Sequence, residues 1–152
     1  MGKLIIDCET GDYSRLADAV YSVLRQTDDL SCEIITLSAE EIKQLNASTR
    51  GIDKVTDVLS YPTLDGVREK VLKKEDFPTD VDGDYLMIGS IVLCLEKIKE
   101  QAQELGHSEQ REKEYLIVHG LMHLFGYDHM VEQDKKQMRE KEKAVMALLE
   151  KN

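Results

Sequence analysis

Basic residues are the minority in this chain. Twenty lysines and arginines stand against 30 aspartates and glutamates, a net charge of −10 over 152 residues. Such a surface disfavours wholesale adsorption to nucleic acid and leaves a polyanion only a local basic cleft. Cysteine is also scarce. Cys8, Cys32 and Cys94 are odd in number and far apart, each within an apolar, strand-like run. That pattern excludes a disulfide frame or a CxxC site and predicts reduced core thiols of a cytoplasmic protein. The opening MGKLIIDCET is too short and too polar for a signal peptide or a membrane span, so no membrane partner is expected. There is no internal repeat and no linker. Residues 1–152 are therefore expected to form a single domain, large enough to bury a core without staples.

Hydrophobic periodicity predicts the elements. Leu4 to Glu9 reads as a strand, and Ser14 to Gln26 as a helix with Leu16, Val20, Val23 and Leu24 on one stripe. Ser31 to Leu37 is a second strand. Ser38 and Glu41 have the spacing of a capping box, opening a short helix through about Asn46. Asp57 to Tyr61 is a third strand. Thr63 to Asp84 is polar, acid-rich and long for a loop in a compact domain, and is expected to act as a flap. Tyr85 to Cys94 is an unbroken apolar strand in which Gly89 marks a bulge or a close backbone approach. Helices follow over Leu95 to Leu105, from Ser108 onward, and over Val131 to Asn152. On the last, Lys135, Lys136, Arg139, Lys141 and Lys143 are expected to form a solvated face. The order predicts an α+β domain, a small mixed sheet of about four strands packed with about five helices.

Histidine is rare too, with four in the chain, yet three fall within EYLIVHGLMHLFGYDHM. His119 and His123 are four apart and share a helix face. The residues around them are apolar on nearly every side, which predicts a central buried helix. Gly126 can end it in a left-handed turn that swings His129 back. Three unpaired buried imidazoles would be costly, whereas three imidazoles converging on a metal leave the fourth position to water, as in a catalytic site. Zinc is expected first among divalent transition metals, with nickel next, and cobalt and copper suit the same donors. His107, before the helix-starting Ser108, is expected at the surface or in the cap.

The spacing H-x3-H-x5-H, with its glycine, also occurs in metallopeptidases of the H-E-x-x-H-x-x-G-x-x-H type. Their general-base glutamate is missing, since this chain has Gly120 at that position. A peptidase would need a carboxylate from elsewhere, Glu114 for example.

Two stretches together resemble the YbeY family of rRNA-maturation endoribonucleases. One is VHGLMHLFGYDH, Val118 to His129, through His119, Gly120, His123, Gly126, Tyr127, Asp128 and His129. The other is LNASTRGIDKVTDVLSYP, Leu45 to Pro62, through Leu45, Asn46, Arg50, Thr56, Asp57, Val58, Leu59, Ser60 and Pro62. The chain departs from the family pattern at Ser90, where Gly-Asp is usual, and at Val55, where a proline is usual. The resemblance implies a metal-dependent endoribonuclease preferring single strands, active in small-subunit rRNA 3′-end maturation and ribosome quality control. It implies His119, His123 and His129 as metal ligands and RNA, the small ribosomal subunit and its proteins as partners. Arg50 is the candidate phosphate clamp, because a planar guanidinium pairs bidentately with phosphate oxygens. Lys54, Lys73 and Lys74 are expected beside it as a positive lip. Asp128 is expected either to orient a ligand histidine or to cap the turn, and Asp57 and Ser60 to fix loop and strand. The rival classes are a ribosome-bound assembly factor with weak or no cleavage, and a peptidase-like hydrolase.

Overall fold

The computed structural model describes residues 2–150, and the end of the last helix expected to reach Asn152 lies outside the described residues. Strand β1 (Leu4–Cys8) pairs in parallel with β2 (Leu30–Thr36), and β2 in parallel with β5 (Tyr85–Leu93). On its other side β5 runs antiparallel to β3 (Val58–Pro62), and the two-residue β4 (Val81–Asp82) pairs with the start of β5. The sheet is thus mixed and five-stranded. Its extra member, β4, is too short for periodicity to show.

Among the described residues, five helices complete the α+β fold: α1 (Ser14–Val23), α2 (Ala39–Arg50), α3 (Leu95–Leu105), α4 (Glu109–Leu124) and α5 (Glu132–Glu150). On β2 the alternation of Leu30, Cys32 and Ile34 turns these side chains into the main core. There they meet Leu16 and Val20 of α1, Met138 and Val145 of α5, and the apolar run of α4. The opposite face of the sheet is covered by α2, whose Ile42 packs on Leu59, Val92 and Cys94. Strand β5 is covered on both faces, which accounts for its continuous hydrophobicity. The cysteines are free, and burial in the sheet pushes the Cys32 thiol up to about 12. Among the described residues, no helix is long and apolar enough to cross a membrane.

Helix α1 stops at Val23 instead of the expected Gln26, and Arg25 follows at φ 54°. Two further elements differ from expectation. Helix α2 runs past Asn46 to Arg50, because Ser48 and Thr49 donate their hydroxyls back to the Leu45 carbonyl (3.1 and 2.8 Å) rather than breaking the helix. Its Ser38–Glu41 capping box is formed, and Gly51 ends it at φ 70°. The segment 63–84 is not a free flap. Leu64, Val67 and Leu72 are buried in the main core, and the Leu72 N–H donates to the buried Gln26 side chain at 2.9 Å. Two short 3₁₀ turns and β4 organise the remainder. It is a strap whose apolar anchors are spaced too irregularly to read as an element.

Gly89 serves both functions expected of it. The β2–β5 register shifts beside it, at Ser31/Cys32. At φ 145°, a Cβ there would stand 2.5 Å from the Tyr61 carbonyl oxygen and 2.6 Å from Leu124 Cδ2. The missing side chain lets the C-terminal end of α4 lie directly on the sheet. Ser90 faces Glu33 across the same strand pair and donates to its carboxylate at 2.9 Å. An aspartate at 90 would bring two carboxylates together instead.

Candidate metal centre and adjoining cleft

Helix α4 begins at Ser108, whose hydroxyl accepts from the Arg111 N–H at 3.1 Å. It packs between the sheet and the other helices, so that Leu116, Ile117, Val118, Leu121, Met122 and Leu124 are buried. His119 and His123 emerge at one edge with ring centroids 4.8 Å apart and planes perpendicular. The helix then closes through the Gly126 and Tyr127 N–H groups, bonded to His123 and Met122 carbonyls at 3.0 and 2.9 Å. Gly126 takes φ 92°, and a Cβ there would meet the Arg68 backbone nitrogen at 2.7 Å. This turn returns His129 to 5.6 Å from the His119 ring and 5.1 Å from that of His123. The candidate ligand atoms of the three histidines all lie within 4.8 Å of one another.

The tautomers follow from the neighbours. His123 Nδ1 lies 3.1 Å from the Tyr127 carbonyl oxygen, which can only accept, so Nδ1 carries the proton. His119 Nδ1 lies 2.6 Å from Oε2 of Glu142, a buried carboxylate on α5. Both rings are thereby oriented with Nε2 left for a metal, the arrangement in which an outer oxygen fixes a ligating histidine. Burial, and then the neighbouring His119 and His129, hold the His123 pKa below its ordinary value. That favours the neutral form a metal needs. The donor set fits a zinc-type ion.

Glu142 was not singled out from the sequence, although a signal was present. It falls in phase with Met138, Val145 and Leu149 on the apolar stripe of α5, where a carboxylate has to find a partner. Asp128 does not orient a histidine side chain; its carboxylate accepts the His129 backbone N–H at 2.6 Å and holds the turn. Asp57 is also a structural anchor. It accepts from the Val58 N–H at 2.7 Å and from Gln101 Nε2 at 2.8 Å.

Gly120 faces the sheet. A Cβ there would stand 3.1 Å from Ile91 Cδ1 and 3.2 Å from Ser60 Oγ. A glutamate at this position would point into β3 and β5 rather than toward the histidines, so the helix is set against the sheet in a way that excludes the peptidase base.

The histidines line one wall of a cleft of about 640 Å³, and Arg50, at the last turn of α2, lines the same cleft with Asp57, Ser60 and Met130. Arg50 is exposed and has no ion-pair partner among the described residues. The expected lysine lip is not there. Lys73 donates to Thr27, and Lys74 pairs with Asp28 and Asp29 at 3.6 and 3.5 Å, away from the cleft. Lys54 does not line it either. Lys73 and Lys74 belong to the strap, whose path is set by its core anchors. His107 is exposed before the Ser108 cap, as expected.

Comparison with known proteins agrees with this geometry. The family model described as endoribonuclease YbeY matches residues 6–150. A protein named endoribonuclease YbeY from Clostridium botulinum (strain Eklund 17B) is 46% identical over 129 residues, covering 80% of this chain and 78% of its own. One of the same name from Clostridium beijerinckii is 44% identical over 140 residues, covering 87% and 84%. The solution structure of a Thermotoga maritima protein superposes with a TM-score of 0.59 at 27% identity, over 99% of this chain and 91% of that one. With nearly its whole length matched and the three histidines converging as the sequence resemblance required, the chain belongs to the YbeY family.

Proposed function

We propose that this protein is a metal-dependent endoribonuclease that cuts single-stranded RNA during rRNA processing. Its assigned step is small-subunit rRNA 3′-end maturation and ribosome quality control in the cytoplasm, with the small subunit and its proteins as partners. The observation that carries this reading is the shared cleft: three histidines, two with Nδ1 already engaged, stand in one hollow with an arginine that has no ion-pair partner among the described residues. The names of the Clostridium relatives support RNA as substrate.

His119, His123 and His129 would hold the ion, zinc first and nickel next. When bound, it supplies Lewis acidity toward a phosphoryl oxygen and acidifies a water. The chain's own groups do the rest. Glu142 keeps the His119 ring in its tautomer, and the Tyr127 carbonyl does the same for His123. Arg50 grips a non-bridging phosphate oxygen and stabilises the charge that grows there, which typically contributes 10²–10³ in rate. Asp57 fixes the start of β3, and so the floor on which the phosphate rests.

The test pairs metal content with cleavage of a single-stranded RNA. His123→Ala should lose both metal and cleavage, whereas Arg50→Ala should lose cleavage by about 10²–10³ and keep its metal. An Arg50→Ala protein without metal, or with full cleavage, would refute the assigned role. One observation favours the second reading, a ribosome-bound assembly factor. The cleft sets a single arginine beside Asp57, Asp65 and Asp128, a weak grip on RNA by itself. Normal ribosome maturation in cells carrying only His119→Ala protein would establish that reading instead.

A further inference from the structure

Behind the Glu142–His119 pair lies a second hollow, of about 410 Å³, enclosed by the end of α3, the first half of α4 and the middle of α5. That size is within the range of small-ligand pockets, roughly 300–1,000 Å³. Its walls combine Tyr115, Leu105 and Met146 with the cations Arg111, Arg139 and Lys143. His107 stands at the same rim. Arg111 is paired with Glu150, but Arg139 and Lys143 have no ion-pair partner among the described residues. Two carboxylates also line it, and both are engaged: Glu142 by His119, and Glu112 by Gln101 at 3.3 Å. In a chain carrying ten more negative than positive charges, this hollow sets three cations against two carboxylates, whereas the metal cleft sets one arginine among three aspartates.

Two side chains, Tyr115 and Glu142, link the hollow to the metal centre. Tyr115 lies one helical turn before His119, with ring centroids 6.3 Å apart and planes inclined by 28°. Its hydroxyl lies 3.4 Å from Oε1 of Glu142, whose other oxygen holds His119. The ring is therefore fixed in orientation while 40% of the residue stays exposed. An exposed aromatic side chain sharing a hollow with cationic side chains is what a single-stranded nucleic acid uses, with base on ring and phosphate on cation.

We infer that this hollow is a nucleotide subsite for the single-stranded RNA substrate, in which a base flanking the scissile phosphate stacks on Tyr115 and its backbone phosphate is held by Arg139 and Lys143. The inference rests on the nuclease reading and extends it. It supplies the positive charge the metal cleft lacks, from helix α5 rather than from the strap lysines. The α5 cations, expected to be merely solvated, then have a partner.

The test is the affinity of the full-length protein for a fluorescein-labelled oligouridylate, followed by stopped-flow anisotropy before cleavage and over a salt series. The slope of log affinity against log salt should become shallower by about 0.7 for each cation removed, so by about 1.4 in Arg139→Ala/Lys143→Ala. Tyr115→Leu should weaken binding roughly five- to 150-fold, the usual contribution of one stacked base. Tyr115→Phe, which keeps the ring and drops the hydroxyl, should restore affinity; a purely structural role for Tyr115 through Glu142 would leave Phe as impaired as Leu. Wild-type affinity and slope in the double variant would overturn the subsite while leaving the nuclease reading intact. Failure of the wild-type protein to bind the RNA would overturn both.

Discussion

Glu142→Gln separates the charge of the buried carboxylate from its shape. Glutamine keeps the volume of a residue only 4% exposed, and an amide oxygen that can still accept from His119 Nδ1 at the 2.6 Å position. What it removes is the negative charge, which raises the basicity of the ligating nitrogen and offsets part of the charge of a bound cation. Loss of such an outer partner typically weakens metal binding 10- to 100-fold. That corresponds to about 1.4–2.7 kcal/mol. Chelator competition with zinc at neutral pH reads the affinity directly. Thermal melts read it again, since metal stabilises by RT ln(1 + [L]/Kd), and a loss of that size should narrow the gap between metal-loaded and metal-free protein by about 3–10 °C. The metal-free variant should melt no lower than metal-free wild type, because removing a buried charge relieves desolvation. Equal zinc affinity in the two proteins would refute the claim that Glu142 tunes the centre.

Further outcomes follow from packing and titration. Gly120→Ala should destabilise the fold by about 1–3 kcal/mol, because the new methyl presses on Ile91 and Ser60; a urea titration checks this, and unchanged stability would mean that α4 has room to shift. Leu72→Ala should cost about 2–5 kcal/mol despite its place in an apparent loop, since the side chain is 1% exposed; a loss below about 1 kcal/mol would restore the free flap. In metal-free protein the His123 imidazole should titrate below 6.5, held down first by burial and then by His119 and His129. The folded state then binds fewer protons than the unfolded chain, so this contribution to stability is present above pH 6.5 and lost as pH falls below it. Histidine NMR titration checks the position, and a His123 midpoint at or above 6.5 would refute it.

Much of the site was legible because its geometry is local. Two histidines four apart, a run of apolar neighbours and a glycine after them specify a buried helix, a shared face and a returning turn through backbone geometry alone. The capping box at Ser38 and the strand at Tyr85–Leu93 are local in the same sense. Helix α2 runs four residues beyond the expected Asn46 because Ser and Thr side chains can either break a helix or bond back to it, and that choice depends on surroundings. The strap is not legible in the sequence because its buried leucine and valine anchors, Leu64, Val67 and Leu72, carry no period.

The sequence by itself determined the helix that carries His119 and His123, the turn that returns His129, the α+β order and the family. Tertiary structure alone decided which groups meet that helix from outside. Glu142 is 23 residues from His119 in sequence and 2.6 Å from it in space. Arg50 shares the histidine cleft because α2 and α4 cover opposite faces of one sheet and the cleft opens at its edge. Lys73 is drawn away to Thr27 and Lys74 to Asp28 and Asp29, while Arg139 and Lys143 line one hollow with Tyr115. Charge and periodicity are properties of residues and their near neighbours. Which charges become neighbours is set by how the core packs.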